Sequence, residues 1–361
     1  MKIKKIYKQS IWGLLMVISL NCFSHAQIDN PVKNFEQLWQ DFNDQYAFFE
    51  IRKVDWNKTY QKYRPMVNEK TTNDSLFSIC CEMLRQFDDR HVSLVDEKNN
   101  MKCITSSQIR LLKEFPNNSS LKLLVQTIDT TLMKYQFKDL TRFKTDIPYL
   151  FGNIIEYTDN GRYGYLRINL MIGISKEELN EVLDNAVNSF RYVKGVIIDV
   201  RFNSGGYDEI SFNIAGRFAD KKRIGHFKST KTKSGFTDLE TKYLKPTGNN
   251  QIVKPIVLIT SDQSMSATDV FALIMRELPY VTIIGDNTKG IFSDINELKL
   301  PNGWSYTFSS QKYLSADMKN FEGVGISPDI KILNTMKDVK NGIDPVLLEA
   351  LKVLDDKTSN K

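Results

Sequence analysis

Ser266 stands at a sharp junction between a predicted strand and a predicted helix. Residues Pro255–Thr260 form a short apolar run rich in Ile and Val, which is typical of a strand covered on both faces. From Ala267 onward the apolar residues recur at helical intervals, and Asp269 lies in the first turn, where the helix dipole favours an acid. Ser266 is therefore either an ordinary capping serine or a nucleophile beside free N–H groups that would stabilise an oxyanion.

A second turn that can do chemistry carries the adjacent glycines Gly205 and Gly206. It follows the predicted buried strand Gly195–Val200 and precedes a predicted helix. Two adjacent glycines permit positive φ angles and a close approach of the backbone to a ligand. The phosphate-binding patterns G-x-x-x-x-G-K and G-x-G-x-x-G are both incomplete here. The turn is therefore either purely structural or supplies an N–H donor that complements the amide of Ala267.

Strands alternate with helices around these two turns, which predicts an α/β layer with substantial parallel pairing. The other elements predicted in this part of the chain are the strand Tyr163–Ile168, the helices Lys176–Phe190 and Glu209–Phe218, the strand Val281–Ile284, and a hairpin around the turn Pro301–Gly303.

The N-terminal part carries three amphipathic segments that predict a small helical region. Aromatic and apolar residues recur at helical spacing in Phe35–Phe49, in a stretch from Asp55 to Tyr63, and in Asn73–Phe87. The polar loop Asp88–Arg90 follows them and leads into a strand-like segment after His91.

The least regular part of the chain is the stretch Asn99–Asn153. We predict strands at Val125–Phe137 and at Phe143–Ile154. The stretch carries no Gly-rich carboxylate-binding loop of the kind found in a peptide-binding PDZ insert.

The N-terminus has the pattern of a secretory signal peptide. Four lysines precede the apolar run Ile11–Leu20, and Ser24–Ala26 then offers a small-x-small cleavage site, so we expect cleavage after Ala26. The run of ten residues is too short to span a bilayer, which needs about 20. A lipid anchor at Cys22 is the less favoured alternative, because Asn21 differs from the small residue that such sites prefer.

Composition narrows the classes of function. The chain has 361 residues, of which 41% are hydrophobic and 25% charged, as in ordinary folded proteins. Without residues 1–26 it keeps 45 basic and 43 acidic side chains, so nothing indicates a nucleic-acid partner. We expect no transmembrane segment in the mature chain.

The cysteines and histidines argue against a metal centre. In an oxidising compartment Cys103 would pair with Cys80 or with Cys81, which leaves one odd thiol. The spacing of these residues does not fit a zinc site, and we expect no metal or other cofactor. His226 lies among four basic residues, which favours a position at the surface.

Seven motifs in one order resemble the C-terminal-processing (tail-specific) peptidase family, and within it the tricorn-core branch. The motifs are DDRHVSL, YGYLRI, GVIIDVRFNSGG, PIVLITSDQSMSATDVFA, IIGDNTKG, LPNG and EGVGISPDI. The resemblance extends from about Phe35 to Ile332. It implies a crotonase-like and ClpP-like α/β superhelix of ββα units, and serine endopeptidase activity on a protein or peptide substrate.

The resemblance also assigns roles to individual residues. The nucleophile falls on Ser266, the general base on His91 and the orienting carboxylate on Glu322. These roles suit their chemistry, because an imidazole that titrates near neutrality can accept the serine proton and a carboxylate can stabilise the resulting imidazolium. The oxyanion hole would be formed by the N–H groups of Gly205 or Gly206 and of Ala267.

Two departures from the family patterns matter. The other branch of the family takes its base from the lysine of a T-x-G-K-G motif, but here Ile291 occupies that position and Lys289 comes two residues too early. The histidine-based branch also uses a serine immediately before the histidine, where this chain has Arg90. That accessory role is then lost or passes to another residue, such as Ser93.

We therefore predict a secreted or periplasmic serine endopeptidase. The alternative is a non-catalytic ligand- or peptide-binding module on the same fold, as in the retinoid-binding domains of the eye, and Arg90 favours that alternative. A crotonase-type acyl-CoA enzyme shares only the fold. The substrate, the cleavage preference and the oligomeric state stay open. The predicted organisation is a signal peptide (1–26), a helical region that ends in the His91 segment (27–95), a connecting region (96–158), the peptidase core (159–335) and a C-terminal helix and tail (336–361).

Overall fold

The computed structural model describes residues 30–105, 108–144 and 152–359. Within these ranges the chain forms one seven-stranded sheet, two four-stranded sheets and the helices that cover them, which confirms the predicted α/β class. The predicted signal peptide lies outside the described residues. Among the helices of the described ranges, none combines the length and the apolar character that crossing a bilayer requires.

The helices and strands have the following bounds. The helices are α1 (Pro31–Gln45), α2 (Phe49–Arg52), α3 (Trp56–Tyr63), α4 (Asn73–Leu84), α5 (Arg110–Glu114), α6 (Asn118–Lys134), α7 (Lys176–Ser189), α8 (Asp208–Gly216), α9 (Ala267–Met275), α10 (Met336–Lys340) and α11 (Pro345–Ser359), with a 3₁₀ turn at Arg64–Met66. The strands are β1 (Ser93–Asp96), β2 (Met101–Ile104), β3 (Thr141–Lys144), β4 (Asn153–Asp159), β5 (Tyr163–Ile168), β6 (Gly195–Asp199), β7 (Arg223–Thr232), β8 (Gly235–Phe236), β9 (Glu240–Leu244), β10 (Ile256–Thr260), β11 (Val281–Gly285), β12 (Ile295–Lys299), β13 (Ser305–Ser309), β14 (Gln311–Ser315) and β15 (Ile330–Lys331).

The seven-stranded sheet forms the centre of the molecule. Its order is β15-β11-β10-β6-β5-β4-β3, in which the first five strands are parallel and the last two antiparallel. Every residue of β6 and β10 is buried, because α7, α8 and α9 pack on one face and α6 and α11 on the other. The loops that follow β6, β10 and β11 therefore emerge side by side at one edge, where open α/β sheets bind their ligands.

The N-terminal helices are confirmed, and they do not form a core by themselves. The side chains of Asn30, Asp55 and Thr72 accept N–H bonds at the starts of α1, α3 and α4, as N-caps do. The aromatic core of these helices includes Trp304, Tyr306 and further residues of the β12–β13 hairpin. That hairpin belongs to an antiparallel sheet of order β12-β13-β1-β2, so residues separated by about two hundred positions share one layer.

A disulfide fixes the edge of this second sheet to a helix. Cys81 in α4 is bonded to Cys103 in β2, and the free thiol of Cys80 is buried beside it. The pairing therefore joins Cys103 to the second of the two adjacent cysteines, a choice that spacing alone left open.

The strand predicted at Val125–Phe137 is wrong, because all but the last three residues of this stretch belong to the long helix α6, which ends at Lys134. Asn117 and Ser120 form a capping box at its start, and the apolar side chains of Leu121, Leu124 and Ile128 face the core at helical spacing. Of the strand predicted at Phe143–Ile154, the two ends belong to β3 and β4, and residues 145–151 between them lie outside the described ranges.

The surface position predicted for His226 is also wrong. His226 lies in β7 of the third sheet and is 1% exposed, with its ring between those of Phe212 and Tyr313. Of its basic neighbours, Lys221 and Lys222 precede β7 and are exposed, whereas Arg223 and Lys228 lie in β7 and are partly buried. Burial lowers the pKa of His226 to about 4, so the ring is neutral at physiological pH.

Candidate active site

Ser266 occupies a backbone conformation that serine rarely adopts. It is the N-cap residue of α9, with φ 56° and ψ −126°. Such a conformation costs about 1–3 kcal/mol for a residue other than glycine, and it persists only where the surroundings enforce it. The hydroxyl makes no capping bond to the helix and no hydrogen bond to any other described residue. The ordinary explanation of a capping serine therefore does not hold.

Two buried serines hold this turn in place. Ser264 donates from its hydroxyl to Val200 O at 2.8 Å, and Ser261 donates to Arg201 O at 2.6 Å. Both bonds join the turn after β10 to the turn after β6. The amide of Ser266 itself donates to Ile291 O at 2.9 Å, which joins it to the loop after β11. Three neighbouring loops thus fix the orientation of one hydroxyl-bearing residue.

The glycine turn lies directly against Ser266. A Cβ atom added at Gly205 would lie 2.7 Å from Met265 O and 2.7 Å from the Cβ of Ser266, and Gly205 has a φ of 107°. Only glycine satisfies both conditions. The backbone of this turn therefore approaches the Ser266 turn as closely as packing permits.

The glycine turn against Ser266 and the start of α9 each contain an N–H group that has no acceptor among the described residues. The amide of Gly205 already donates to the Asn203 side chain at 2.8 Å, whereas that of Gly206 has no acceptor among the described residues. Gly206 is also exposed. The amide of Ala267 is at the first position of α9 and has no acceptor within the helix. Of the two glycines considered from the sequence, Gly206 is thus the one whose N–H group has no hydrogen-bond acceptor among the described residues.

A buried acid shapes the loop after β11. Asp269 is fully buried and accepts the amides of Gly290 and Ile291 at 3.0 and 2.9 Å. Burial raises the pKa of Asp269 to about 6, against the hydrogen bonds that favour its charged form. The bonds of Asp269 thus position the backbone of Ile291, whose carbonyl accepts the hydrogen bond from the Ser266 amide.

The structure offers no lysine partner for Ser266 in this loop. Ile291 is buried, and the ammonium group of Lys289 lies 3.2 Å from Gln108 O. A serine–lysine pair would need the ammonium beside the serine hydroxyl. The loop thus contributes backbone to the site and no base.

His91 comes from the other end of the chain, just before β1. Its amide donates to Asp89 Oδ1 at 3.0 Å, and its carbonyl accepts from the Thr307 hydroxyl at 2.6 Å. The ring nitrogen Nδ1 lies 3.3 Å from Ser309 Oγ, whereas Nε2 has no hydrogen bond to a described residue. Strand β13 therefore fixes both the backbone and the ring of His91.

The electrostatic surroundings keep His91 neutral at physiological pH. Burial lowers the pKa of the imidazole, the carboxylates of Asp89 and Asp294 oppose this, and the guanidinium groups of Arg52 and Arg90 add to it. A neutral imidazole is the form that accepts a proton, so His91 has the protonation state that a general base needs.

Glu322 contacts the loop beside Ser266 rather than the imidazole. Its carboxylate accepts the amide of Phe292 at 2.9 Å and is paired with Arg52, at side-chain exposures of 1% and 5%. No hydrogen bond joins Glu322 to His91 in the part of the chain that the structure describes. Burial raises the pKa of Glu322, and the guanidinium group of Arg52 opposes that rise by favouring the charged carboxylate.

Arg52 is a site residue that sequence reasoning missed. It ends the short helix α2, and nothing in its local pattern distinguishes it from a surface arginine. Arg52 and Glu322 are 270 positions apart in the sequence, and only the tertiary structure brings them into contact. The neighbouring residues Ile51 and Gly323 are also in close contact, since a Cβ added at Gly323 would lie 2.8 Å from the Ile51 side chain.

The sequence offers two positions for the accessory serine of the family pattern, residue 90 and residue 93. Arg90 is exposed. Ser93 is hydrogen-bonded to the Thr307 hydroxyl at 2.7 Å rather than to the imidazole.

Across the described ranges, no three His, Cys, Asp or Glu side chains are grouped so as to hold a metal ion.

Two family models match the chain over the parts that build this site. Residues 162–332 match peptidase family S41, and residues 30–85 match the tricorn protease C1 domain. The first range contains Ser266 and Glu322, and the second contains Arg52.

Among curated proteins, the carboxy-terminal processing protease CtpA of Bacillus subtilis is 26% identical over 176 residues, which are 49% of this chain and 36% of that protein. The tricorn protease of Thermoplasma acidophilum is 26% identical over 202 residues, which are 55% of this chain and 17% of that protein. The chain thus spans well under half of the length of these relatives.

Solved structures show the same architecture over nearly the whole chain. A putative peptidase from Parabacteroides merdae ATCC 43184 superimposes with a TM-score of 0.73 at 27% identity, over 90% of this chain and 96% of that one. Mature CPAF complexed with lactacystin has a TM-score of 0.64 at 10% identity, over 92% of this chain and 99% of that one, which is a likeness of fold alone.

The buried pair of Arg52 and Glu322 predicts a large stability effect. Arg52→Met leaves the carboxyl buried without its cation, and we expect a loss of about 3–5 kcal/mol in the free energy of unfolding, measured by urea denaturation. The matched control is Arg64→Met, because Arg64 pairs with Glu36 at 31% and 38% exposure and should lose under about 1 kcal/mol. Equal losses in the two variants would contradict this account.

Close packing at Gly205 predicts a large loss of function on substitution. In Gly205→Ala the new methyl group must displace the Ser266 turn, and a shift of about 1 Å lowers activity roughly a hundredfold. Gly235→Ala is the control, since Gly235 has a similar φ of 123° but no atom within 4 Å of its added Cβ. The measurement is the rate at which a fluorophosphonate probe labels each folded variant. Similar rates for the two variants would show that the contact does not matter.

Proposed function

We propose that this chain, which belongs to peptidase family S41, is a serine endopeptidase that attacks peptide bonds with Ser266. The observation that carries the proposal is the Ser266 hydroxyl itself. It is held in an unfavourable backbone conformation without a hydrogen-bond partner among the described residues. The first amide of α9 and the Gly206 amide of the adjoining turn have no acceptor among these residues. A serine that serves only as a cap or in packing needs none of these features.

In the proposed reaction, the Ser266 hydroxyl attacks the carbonyl carbon of the scissile peptide and transfers its proton to Nε2 of His91. The negative charge that develops on the carbonyl oxygen is stabilised by the N–H groups of Gly206 and Ala267. The imidazolium then returns the proton to the leaving amine. A water molecule, deprotonated by the same imidazole, hydrolyses the acyl-enzyme and restores the serine.

Glu322 acts in this proposal through the loop and the local field. Its bond to the Phe292 amide supports the backbone that receives the Ser266 amide one residue earlier. Its partner Arg52 is one of the cations that lower the pKa of His91. We therefore assign Glu322 a positioning role rather than a direct bond to the imidazole.

We also propose that the protein is exported, with residues 1–26 as the signal peptide and residues 159–335 as the peptidase core. The bond between Cys81 and Cys103 supports export, because disulfides persist in oxidising compartments such as the periplasm and the extracellular space. The substrate class is protein or peptide.

The first test is chemical labelling of Ser266. The mature protein should react with a fluorophosphonate probe at Ser266, as mapped by mass spectrometry, and should digest an unfolded protein such as casein. Ser266→Ala and His91→Ala should each lower kcat/KM by at least about 10⁴-fold, because nucleophile and base act as a unit. Ser204→Ala is the control, since Ser204 is a partly exposed serine in the adjacent turn and should leave the labelling of Ser266 intact. Absence of labelling in the folded wild type would favour the binding module instead.

The second test is the pH dependence of the labelling rate. His91 must be neutral to accept the proton, so the rate falls as the pH falls through its pKa. Because burial lowers that pKa, the midpoint of the acid limb should lie below about 6.5, the value of an unperturbed histidine. Arg90→Gln removes a nearby cation and should move the midpoint to higher pH. A midpoint above the unperturbed value, or no shift in Arg90→Gln, would contradict the assigned electrostatics.

A further inference from the structure

Ser309 is the polar group that the structure places against the ring of His91. Its hydroxyl lies 3.3 Å from Nδ1, and its side chain is inaccessible to solvent. The strand around it is fixed on both sides. Ser309 is paired with Ile295 in β12, and its carbonyl accepts the amide of Ala47 at 3.0 Å. The position of this hydroxyl is therefore set by main-chain contacts that do not depend on the imidazole.

We propose that Ser309 is the positioning residue of the base, and that it occupies the place that a carboxylate has in a serine–histidine–acid triad. The inference deepens the proposed function and rests on it. On the sequence alone, the orienting role falls to Glu322, and Ser93 is a candidate for the accessory role. In the structure, Glu322 is bonded to Arg52 and to the Phe292 amide, and Ser93 is bonded to Thr307.

The contact accommodates the tautomer of His91 that the proposed base requires, because a hydroxyl can accept a hydrogen bond from Nδ1. A neutral imidazole has one N–H donor and one acceptor nitrogen, and the acceptor must face Ser266. If Nδ1 carries the hydrogen and donates to Ser309 Oγ, then Nε2 has the lone pair that receives the serine proton. In the imidazolium both nitrogens are donors, and Ser309 Oγ accepts from Nδ1 without rearranging. One hydroxyl thus serves both protonation states of the base.

A hydroxyl partner also fits the low basicity of this histidine. A carboxylate bonded to Nδ1 would stabilise the imidazolium strongly, whereas a neutral hydroxyl stabilises it weakly. The charged groups around the ring come from several elements: Asp89 and Arg90 precede it, Arg52 ends α2, and Asp294 precedes β12. The two carboxylates raise the pKa of His91, the two guanidinium groups lower it, and burial also lowers it.

The test combines a spectroscopic readout with a kinetic one. The whole chain has three histidines, of which His25 precedes the expected cleavage site, so the ¹⁵N-histidine NMR spectrum of the mature protein contains His91 and His226 alone. The His91 signals are assigned as those lost in His91→Gln. We expect the hydrogen on Nδ1 in the wild type, a property that does not require activity.

The variants are Ser309→Ala, the conservative Ser309→Thr, and the control Ser310→Ala, which removes a neighbouring buried hydroxyl that has no described contact with His91. Ser309→Ala should mix the two tautomers and lower the fluorophosphonate labelling rate roughly two- to tenfold, the effect of one hydrogen bond. Ser309→Thr should restore both readouts, and Ser310→Ala should change neither.

The outcomes distinguish the two proposals. A wild-type His91 with its hydrogen on Nε2, or equal labelling rates in Ser309→Ala and Ser310→Ala, overturns the role of Ser309 even if the protein is an active peptidase. A wild type that shows the expected tautomer but never labels at Ser266 retains the Ser309–His91 contact and refutes the proposed peptidase.

Discussion

The site depends on one backbone constraint, namely that Ser266 must keep a positive φ angle between a buried strand and a buried helix. Neither neighbour can relax it, because every residue of β10 and of α9 is buried. The carbonyl of Ile291 receives the Ser266 amide, and the bonds of Asp269 fix that carbonyl in turn. The core therefore supplies the free energy that holds the hydroxyl away from the helix end and leaves the first amide of α9 unbonded.

The proposed base, His91, has a different origin, and this makes the candidate site a product of the whole fold. His91 belongs to a layer that the N-terminal helices form with the β12–β13 hairpin, whereas Ser266 belongs to the central sheet. The pair of Arg52 and Glu322 is one of the links between these two bodies of structure. Neither part alone contains both the proposed nucleophile and the proposed base. The pair joins the end of α2 to the loop that contains Glu322.

Local patterns predicted the nucleophile turn and the glycine turn because strand, turn and helix follow one another within a few residues there. His91 and Glu322 were found only by resemblance to a family, since they meet the site from distant parts of the chain. Arg52 and Ser309 were missed because an arginine at a helix end and a serine in a strand carry no local signal. Two predictions failed for physical reasons. Residues 118–134 form a helix that begins with a capping box and packs an apolar face into the core, and His226 is buried because its ring packs against Phe212 and Tyr313.

The central claim is that Ser266, His91 and the two amides of Gly206 and Ala267 converge on one reacting carbonyl. Its most direct test is a crystal structure of the mature protein after reaction with a fluorophosphonate. The account predicts phosphorus bonded to Ser266 Oγ, the phosphoryl oxygen accepting from both amides, and Nε2 of His91 facing the Ser266 oxygen while Nδ1 stays on Ser309. An adduct on another residue, or a phosphoryl oxygen that points away from both amides, would contradict it.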